Sequence, residues 1–401
     1  MSKPTSAPRQ IRSLPRMSSI EMLDRLVAFP TISRDSNLPL IDWVEDYLDG
    51  YGARCRRTTN ETGNKANLFA AIGPEVDGGV VLSGHTDVVP VDDQDWHTDP
   101  FKLTERDGLL YGRGTSDMKG FSAVFLSRLA DLDVSTMKRP LYLALSYDEE
   151  IGCLGIDRMV NDALANGAKP EYGIIGEPTT MRVVRAHKSI NVFRTVVTGQ
   201  AAHSSQPHRG AGAILAAARI IEHLDALGRQ RRAEAGDSGC EPPWTTVQVG
   251  EIHGGTAVNI LPAHCEFLWE YRGLPGENPD LILNALQDFI ESEVLPDLRE
   301  FAPHAAVDTS AIARVPPLVP DSEARAETWV RTLDGVREGG SGEVSFATEA
   351  GSFQRAGISS VVCGPGSIDQ AHQPNEFIDP AELQRCEAMV DDVFGYLCQD
   401  H

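Results

Sequence analysis

Short apolar runs punctuate the chain at Asn67–Ile72, Gly79–Ser83, Pro140–Ser146, Tyr172–Ile175 and Ser359–Cys363, each bounded by Gly, Pro or acidic residues. Between and before them lie stretches of helical spacing: Ser19–Leu26, Leu38–Tyr51, Gly120–Leu132 and Gly155–Asn166. Strands apolar on both faces, separated by helices, suit a sheet covered on both sides. The pattern therefore predicts parallel strands in an α/β sheet. Ser19, with Glu21 behind it, reads as the cap of the first helix.

The middle of the chain has another texture. Lys188–Thr198, Thr245–Ile252, Cys265–Tyr271 and Ala305–Ala313 read as strands, and Ala211–Leu227 and Pro279–Val294 as helices. The order β-α-β-β-α-β describes a small α+β, ferredoxin-like unit. The α/β texture resumes near Pro317. The expectation is a main α/β domain in two parts, 17–182 and 314–401, interrupted by an inserted domain over 183–313 and preceded by a tail over 1–16. Gly228–Pro243, polar and glycine-containing, reads as a mobile loop.

Composition narrows the partners. A length of 401 residues accommodates two domains, and a net charge of −22 argues against nucleic acid or an anionic membrane. The seven cysteines are scattered without a C-x-x-C pair, which suits buried thiols in a reducing cytoplasm. A metal, if present, would then be held by His, Asp and Glu. No run approaches the ~20 apolar residues that span a bilayer, and Met1–Met17 lacks the apolar stretch of a secretory signal. These readings together describe a cytoplasmic enzyme of small molecules.

The acidic and histidine residues fall where such a sheet binds ligands. The runs end in Gly84-His85-Thr86-Asp87, Tyr147-Asp148-Glu149-Glu150 and Gly176-Glu177-Pro178, and the last is followed by Ala371-His372. Residues just past the ends of parallel strands meet along one rim. Asp117 joins them from the glycine-rich turn Gly112–Asp117. Each of these alone reads as a turn or a cap; their arrival at one rim does not. Carboxylates crowded there repel one another unless cations sit between them. Two divalent ions satisfy the set: Asp117 bridging, His85 and Glu177 on one ion, Glu150 and His372 on the other. Mixed N/O ligands favour Zn²⁺. A metal pair lowers the pKa of a water and polarises a carbonyl. Glu149, beside a ligand but free of metal, is then placed to accept the proton, and Asp87 to hold the second nitrogen of His85.

Two look-alikes fail on context. Gly236-Asp237-Ser238-Gly239 lacks the strand-turn-helix frame of a serine nucleophile. Gly112-Arg113-Gly114 reaches Asp117 where a dinucleotide loop needs a third glycine.

The segments Gly84–Pro90, Gly112–Gly120, Asp148–Glu150 and Gly176–Thr179 resemble the dinuclear-zinc M20 peptidase and deacylase family, over nearly the whole chain after the tail. The resemblance implies a zinc-exopeptidase-like catalytic domain with an inserted lid and dimerisation domain. It also implies the metal ligands given above, Co²⁺ as a substitute for Zn²⁺, Glu149 as general base and a cis peptide after Asp117. By the same resemblance, His203 in Gly199–Ser205 steadies the oxyanion from a partner subunit, and Asn259 and Arg272 hold the substrate carboxylate. A guanidinium fork suits that task. Glu349, in Ala347–Ala350, is expected to face the cationic end of the substrate. The implied activity is hydrolysis of an N-acyl amino acid, with N2-acetyl-L-ornithine the first expectation. The alternatives are another deacylase or dipeptidase of the fold, and a non-catalytic amino-acid-binding relative. All six of Glu149 and the five ligands are present, which argues against the last.

Overall fold

The computed structural model describes residues 16–340 and 342–400, so all but Arg16 of the expected tail lies outside it. Sheet formation begins at a strand that the apolar pattern misses. Strand β1 (Arg54–Thr59) carries Arg54, Arg56 and Arg57 and is largely exposed. It pairs antiparallel with β2 (Ala66–Ile72), as an edge strand with charged side chains can. Then follow β3 (Val80–His85), β4 (Leu141–Ser146) and β5 (Tyr172–Ile175). The inserted strands are β6 (Ile190–Thr198), β7 (Thr246–Gly254), β8 (His264–Arg272) and β9 (Ala306–Val315), and the last strand described here is β10 (Ser359–Val362).

The larger sheet is six-stranded, in the order β1-β2-β4-β3-β5-β10. It is mixed rather than wholly parallel. β2 runs antiparallel to both β1 and β4, while β4, β3, β5 and β10 are mutually parallel. The sequence cannot reveal this reversal, because β2 is nearly as buried as its parallel neighbours and reads like them. The parallel strands β3 and β4 are buried at every residue. The core around them takes in Val80, Leu82, Leu143, Phe121, Phe125 and Val390, with helices Lys119–Arg128 and Pro380–Cys398 contributing.

The smaller sheet has the order β7-β8-β6-β9, antiparallel throughout. Its buried face carries Phe193, Trp269 and Tyr271, packed with Ile220, Leu224 and Leu286 from its helices. The chain divides into two compact units. One comprises the residues up to Arg185, Pro320–Gly342 and Thr348 onward; the other comprises Ala186–Val319 and Glu343–Ala347.

Two local expectations need correction. The first helix, Ser19–Val27, is capped by Ser18, not Ser19. A capping box needs its acid three residues on, and Ser18 with Glu21 satisfies that spacing. The expected loop at Gly228–Pro243 is helical in its first part, because helix Ala213–Ala233 continues through Gly228. The good helix formers Gln230, Arg231 and Arg232 carry it past the glycine. Among the described residues no helix is long and apolar enough to cross a membrane.

Candidate metal centre

The parallel strands deliver their ends to one rim. His85 closes β3, Glu149 and Glu150 follow β4, and Glu177 stands just past β5. The approach is close there. A Cβ at Gly176 would meet the Phe121 ring at 2.0 Å, and one at Gly364 would meet the Gly176 carbonyl at 2.1 Å. Glycine is thus required on both sides of Glu177's entry.

Asp117 occupies the middle. Its Oδ1 lies 3.1 Å from His85 Nε2, and its Oδ2 lies 3.4 Å from His372 Nε2. Beyond the histidines stand further carboxylates: Glu177 Oε1 at 3.9 Å from His85 Nε2, and Glu150 Oε2 at 2.9 Å from His372 Nε2. Ligand atoms of His85, Asp117 and Glu150 fall within 4.8 Å of one another, as do those of His85, Glu149 and Glu177. The peptide after Asp117 is cis, as the resemblance implied.

Asp87 acts on His85 chiefly through its backbone. His85 Nδ1 lies 2.8 Å from the Asp87 carbonyl oxygen and 3.7 Å from Oδ1. The Asp87 carboxylate is engaged elsewhere. It accepts from Ser33 Oγ at 2.8 Å and from the amides of Glu149 and Glu150 at 3.2 and 3.3 Å.

The electrostatics express crowding. Burial, reinforced by neighbouring carboxylates, holds Glu149 and Glu177 well above the ordinary carboxylate range. Burial and Asp117 push Glu150 up to about 7 against the pull of His372. Burial pulls His85 down, but Asp117, Glu177 and Glu149 outweigh it and leave the ring well above 6.5. Hydrogen bonds to Asp117 and Glu150 raise His372 to about 10. Buried Glu177 Oε1 has no hydrogen-bond partner among the described residues. Such a donor set, with an orphaned inward carboxylate oxygen, fits divalent cations between its members.

Glu349 belongs to the same unit as this cluster. It is buried, and burial raises its pKa to about 7 against the pull of Ser146. The other sequence-selected residues lie in the inserted unit. His203 and Ile260 form a β-bridge, which brings the His203 segment beside Asn259; both residues are exposed. His203 Nδ1 lies 2.8 Å from Ser205 Oγ. Arg272, at the end of β8, faces Glu270 at 3.2 Å.

Sequence reasoning missed the supports. Buried Glu376 accepts from the amides of Gly114, Ser116 and Asp117 at 2.9, 2.8 and 3.0 Å, and so fixes the loop that presents Asp117. Nothing local marks it, because its partners lie some 260 residues away in sequence.

Buried His85 and carboxylates, with the more exposed His372, gather at the rim of the parallel strands and suit a divalent metal; with the likenesses that follow, the class is a metal-dependent amidohydrolase. The chain belongs to Peptidase family M20/M25/M40, whose family model matches residues 81–394. It is 37% identical over 388 residues to an acetylornithine deacetylase of Myxococcus xanthus, covering 94% of this chain and 96% of that protein. It is 35% identical over 395 residues to one of Yersinia pseudotuberculosis serotype O:1b, covering 95% and 97%. Among solved structures, an M20 family metallo-carboxypeptidase of Sulfolobus solfataricus shares the fold with a TM-score of 0.68 at 17% identity, covering 95% and 99%. A dinuclear metal-binding M20 peptidase of Bacillus subtilis does so with a TM-score of 0.62 at 16% identity, covering 94% and 97%.

Proposed function

We propose that this protein hydrolyses N2-acetyl-L-ornithine to L-ornithine and acetate, an arginine-biosynthetic step carried out in the cytoplasm. The observation that carries the substrate assignment is the near full-length likeness, at 34% to 37% identity, to relatives named acetylornithine deacetylase. The metal cluster carries the chemistry.

Two Zn²⁺, replaceable by Co²⁺, would fit the donor set: His85 and Glu177 would hold one, Glu150 and His372 the other, and Asp117 would serve both. The two-sided placement of Asp117 between the histidines supports that sharing. When bound, the ions acidify a water and polarise the amide carbonyl. Glu149 accepts the water's proton and returns it to the leaving amine. Asp87 fixes the tautomer of His85 by accepting from Nδ1, which leaves Nε2 free as a ligand. In the same reading Asn259 and Arg272 take the substrate α-carboxylate, His203 steadies the oxyanion, and Glu349 receives the δ-ammonium. The inserted unit pairs with that of a second copy in a homodimer.

The test is kcat/KM on N-acetyl-L-ornithine beside N-acetyl-L-methionine, N-succinyl-L,L-diaminopimelate and a dipeptide. The reading predicts a preference for N-acetyl-L-ornithine of about a hundredfold or more. Preference for another member of the panel overturns the ornithine assignment and leaves the metal chemistry standing.

A further inference from the structure

Lys65 lies outside the metal cluster, yet it is buried. Its Nζ donates to the carboxylate of Asp148 and to the backbone carbonyl of Ser33. Asp148 is itself buried, and among the described residues Lys65 is its ion-pair partner. A buried carboxylate without such a partner is strongly destabilising.

Both of the segments that Lys65 grips end on Asp87. Asp148 immediately precedes Glu149 and Glu150 and has φ 58°. That left-handed conformation is disfavoured for a residue with a Cβ, and the Lys65 ion pair helps to hold it. It turns the chain so that the amides of Glu149 and Glu150 point at the two Asp87 carboxylate oxygens, at 3.2 and 3.3 Å. The other segment reaches Asp87 through Ser33, whose Oγ donates to Oδ2 at 2.8 Å. The Asp87 carbonyl in turn takes His85 Nδ1. One ammonium therefore ties the turn that carries Glu149 and Glu150 to the arm that steadies Asp87 and His85.

We propose that Lys65 is a positioning residue for the reaction. Acting through Asp148 and Ser33, it fixes the aim of Glu149 and Glu150 relative to His85 without touching substrate. The inference rests on the reading of Glu149 as the general base.

The experiment uses the metal-loaded full chain and N-acetyl-L-ornithine, or whichever panel substrate the protein turns over fastest. Lys65→Met is expected to lower kcat about tenfold or more, since small misplacements of catalytic groups cost that much, with KM changed less than about threefold. Lys65→Met/Asp148→Asn removes both charges, so its melting temperature should recover toward wild type while kcat stays low. A purely structural pair predicts instead that kcat recovers with the melting temperature, and that result overturns the proposal. So does an unchanged kcat in Lys65→Met. Should Lys65→Met not fold, Ser33→Ala carries the test: it trims one hydroxyl from the same chain of contacts, and kcat should fall with KM unmoved. Unchanged kcat in Ser33→Ala overturns the proposal. Glu149→Gln separates the two levels. If it abolishes turnover while Lys65→Met and Ser33→Ala leave kcat unchanged, positioning alone fails; if it keeps wild-type turnover, the base assignment and the proposal fall together.

Discussion

The carboxylate of Glu376 and the guanidinium of Arg113 meet at 2.9 Å with both side chains shut away from solvent. The pair ties Glu376 to the loop Gly112–Asp117, to which Arg113 itself belongs. Besides Arg113, Glu376 takes the amides of Gly114, Ser116 and Asp117, and its own carbonyl accepts from Gly112 at 3.0 Å. Replacing Glu376 with Ala would take the carboxylate from a buried guanidinium, leaving it Gln373 and Gln94, and would strand several amides. The expected loss is about 3–5 kcal/mol of stability, read from urea titration. Metal affinity should also weaken, by about 10–100-fold, because Asp117 loses its support. A variant with wild-type stability and metal affinity would show that the loop holds itself.

Acid should unfold the protein partly through His187. Its side chain is fully buried, Nε2 has no hydrogen-bond partner among the described residues, and burial pulls its pKa from 6.5 down to about 4. The folded state thus binds its proton less readily than the unfolded state does. The stability associated with the neutral ring is intact above pH 6.5 and drains away as pH falls toward 4, by about 3 kcal/mol at most. His187→Gln lacks that titration. Its stability should fall less steeply than wild type between pH 6.5 and 4, whatever its value at neutral pH. Parallel stability-against-pH curves would remove His187 from the acid response.

Metal uptake should release protons. With Glu149 and Glu177 held high, Glu150 near 7 and His372 near 10, much of the site carries protons at neutral pH. Divalent ions must displace them. Adding Zn²⁺ to chelator-stripped protein in weak buffer should acidify the solution and raise the melting temperature. The apparent affinity should weaken as pH drops below about 7. Uptake without proton release would contradict this protonation pattern.

The sequence made the rim legible because the candidate ligands and the candidate base follow strands as short motifs, each readable in place. His85, Glu149, Glu150 and Glu177 come directly after apolar runs, and the parallel rule alone gathers them. The direction of β2 was not legible, because strands buried on both faces read alike whichever way they run. Strand β1 escaped notice because an edge strand rich in arginine has no apolar signature. Glu376 and Lys65 were invisible for another reason. Their work is done by contacts between segments far apart in the chain, and no local pattern encodes them. The role of Asp87 was read from its spacing to His85, whereas the fold spends its carboxylate on Ser33 and on the amides of Glu149 and Glu150 and leaves the carbonyl for the ring.

The measurement that tests the central claim most directly is product formation by stripped and reloaded enzyme. Protein freed of metal by chelator is incubated with N-acetyl-L-ornithine before and after adding Zn²⁺ or Co²⁺, and acetate and free α-amine are quantified. Glu149→Ala runs beside it, with bound metal counted in both proteins. The account predicts no products from the stripped protein and equal amounts of acetate and amine after reloading. It also predicts a loss of about 10²–10⁴-fold in Glu149→Ala at unchanged metal content. Hydrolysis that survives stripping or the loss of Glu149, or a protein that binds no divalent metal, would contradict it.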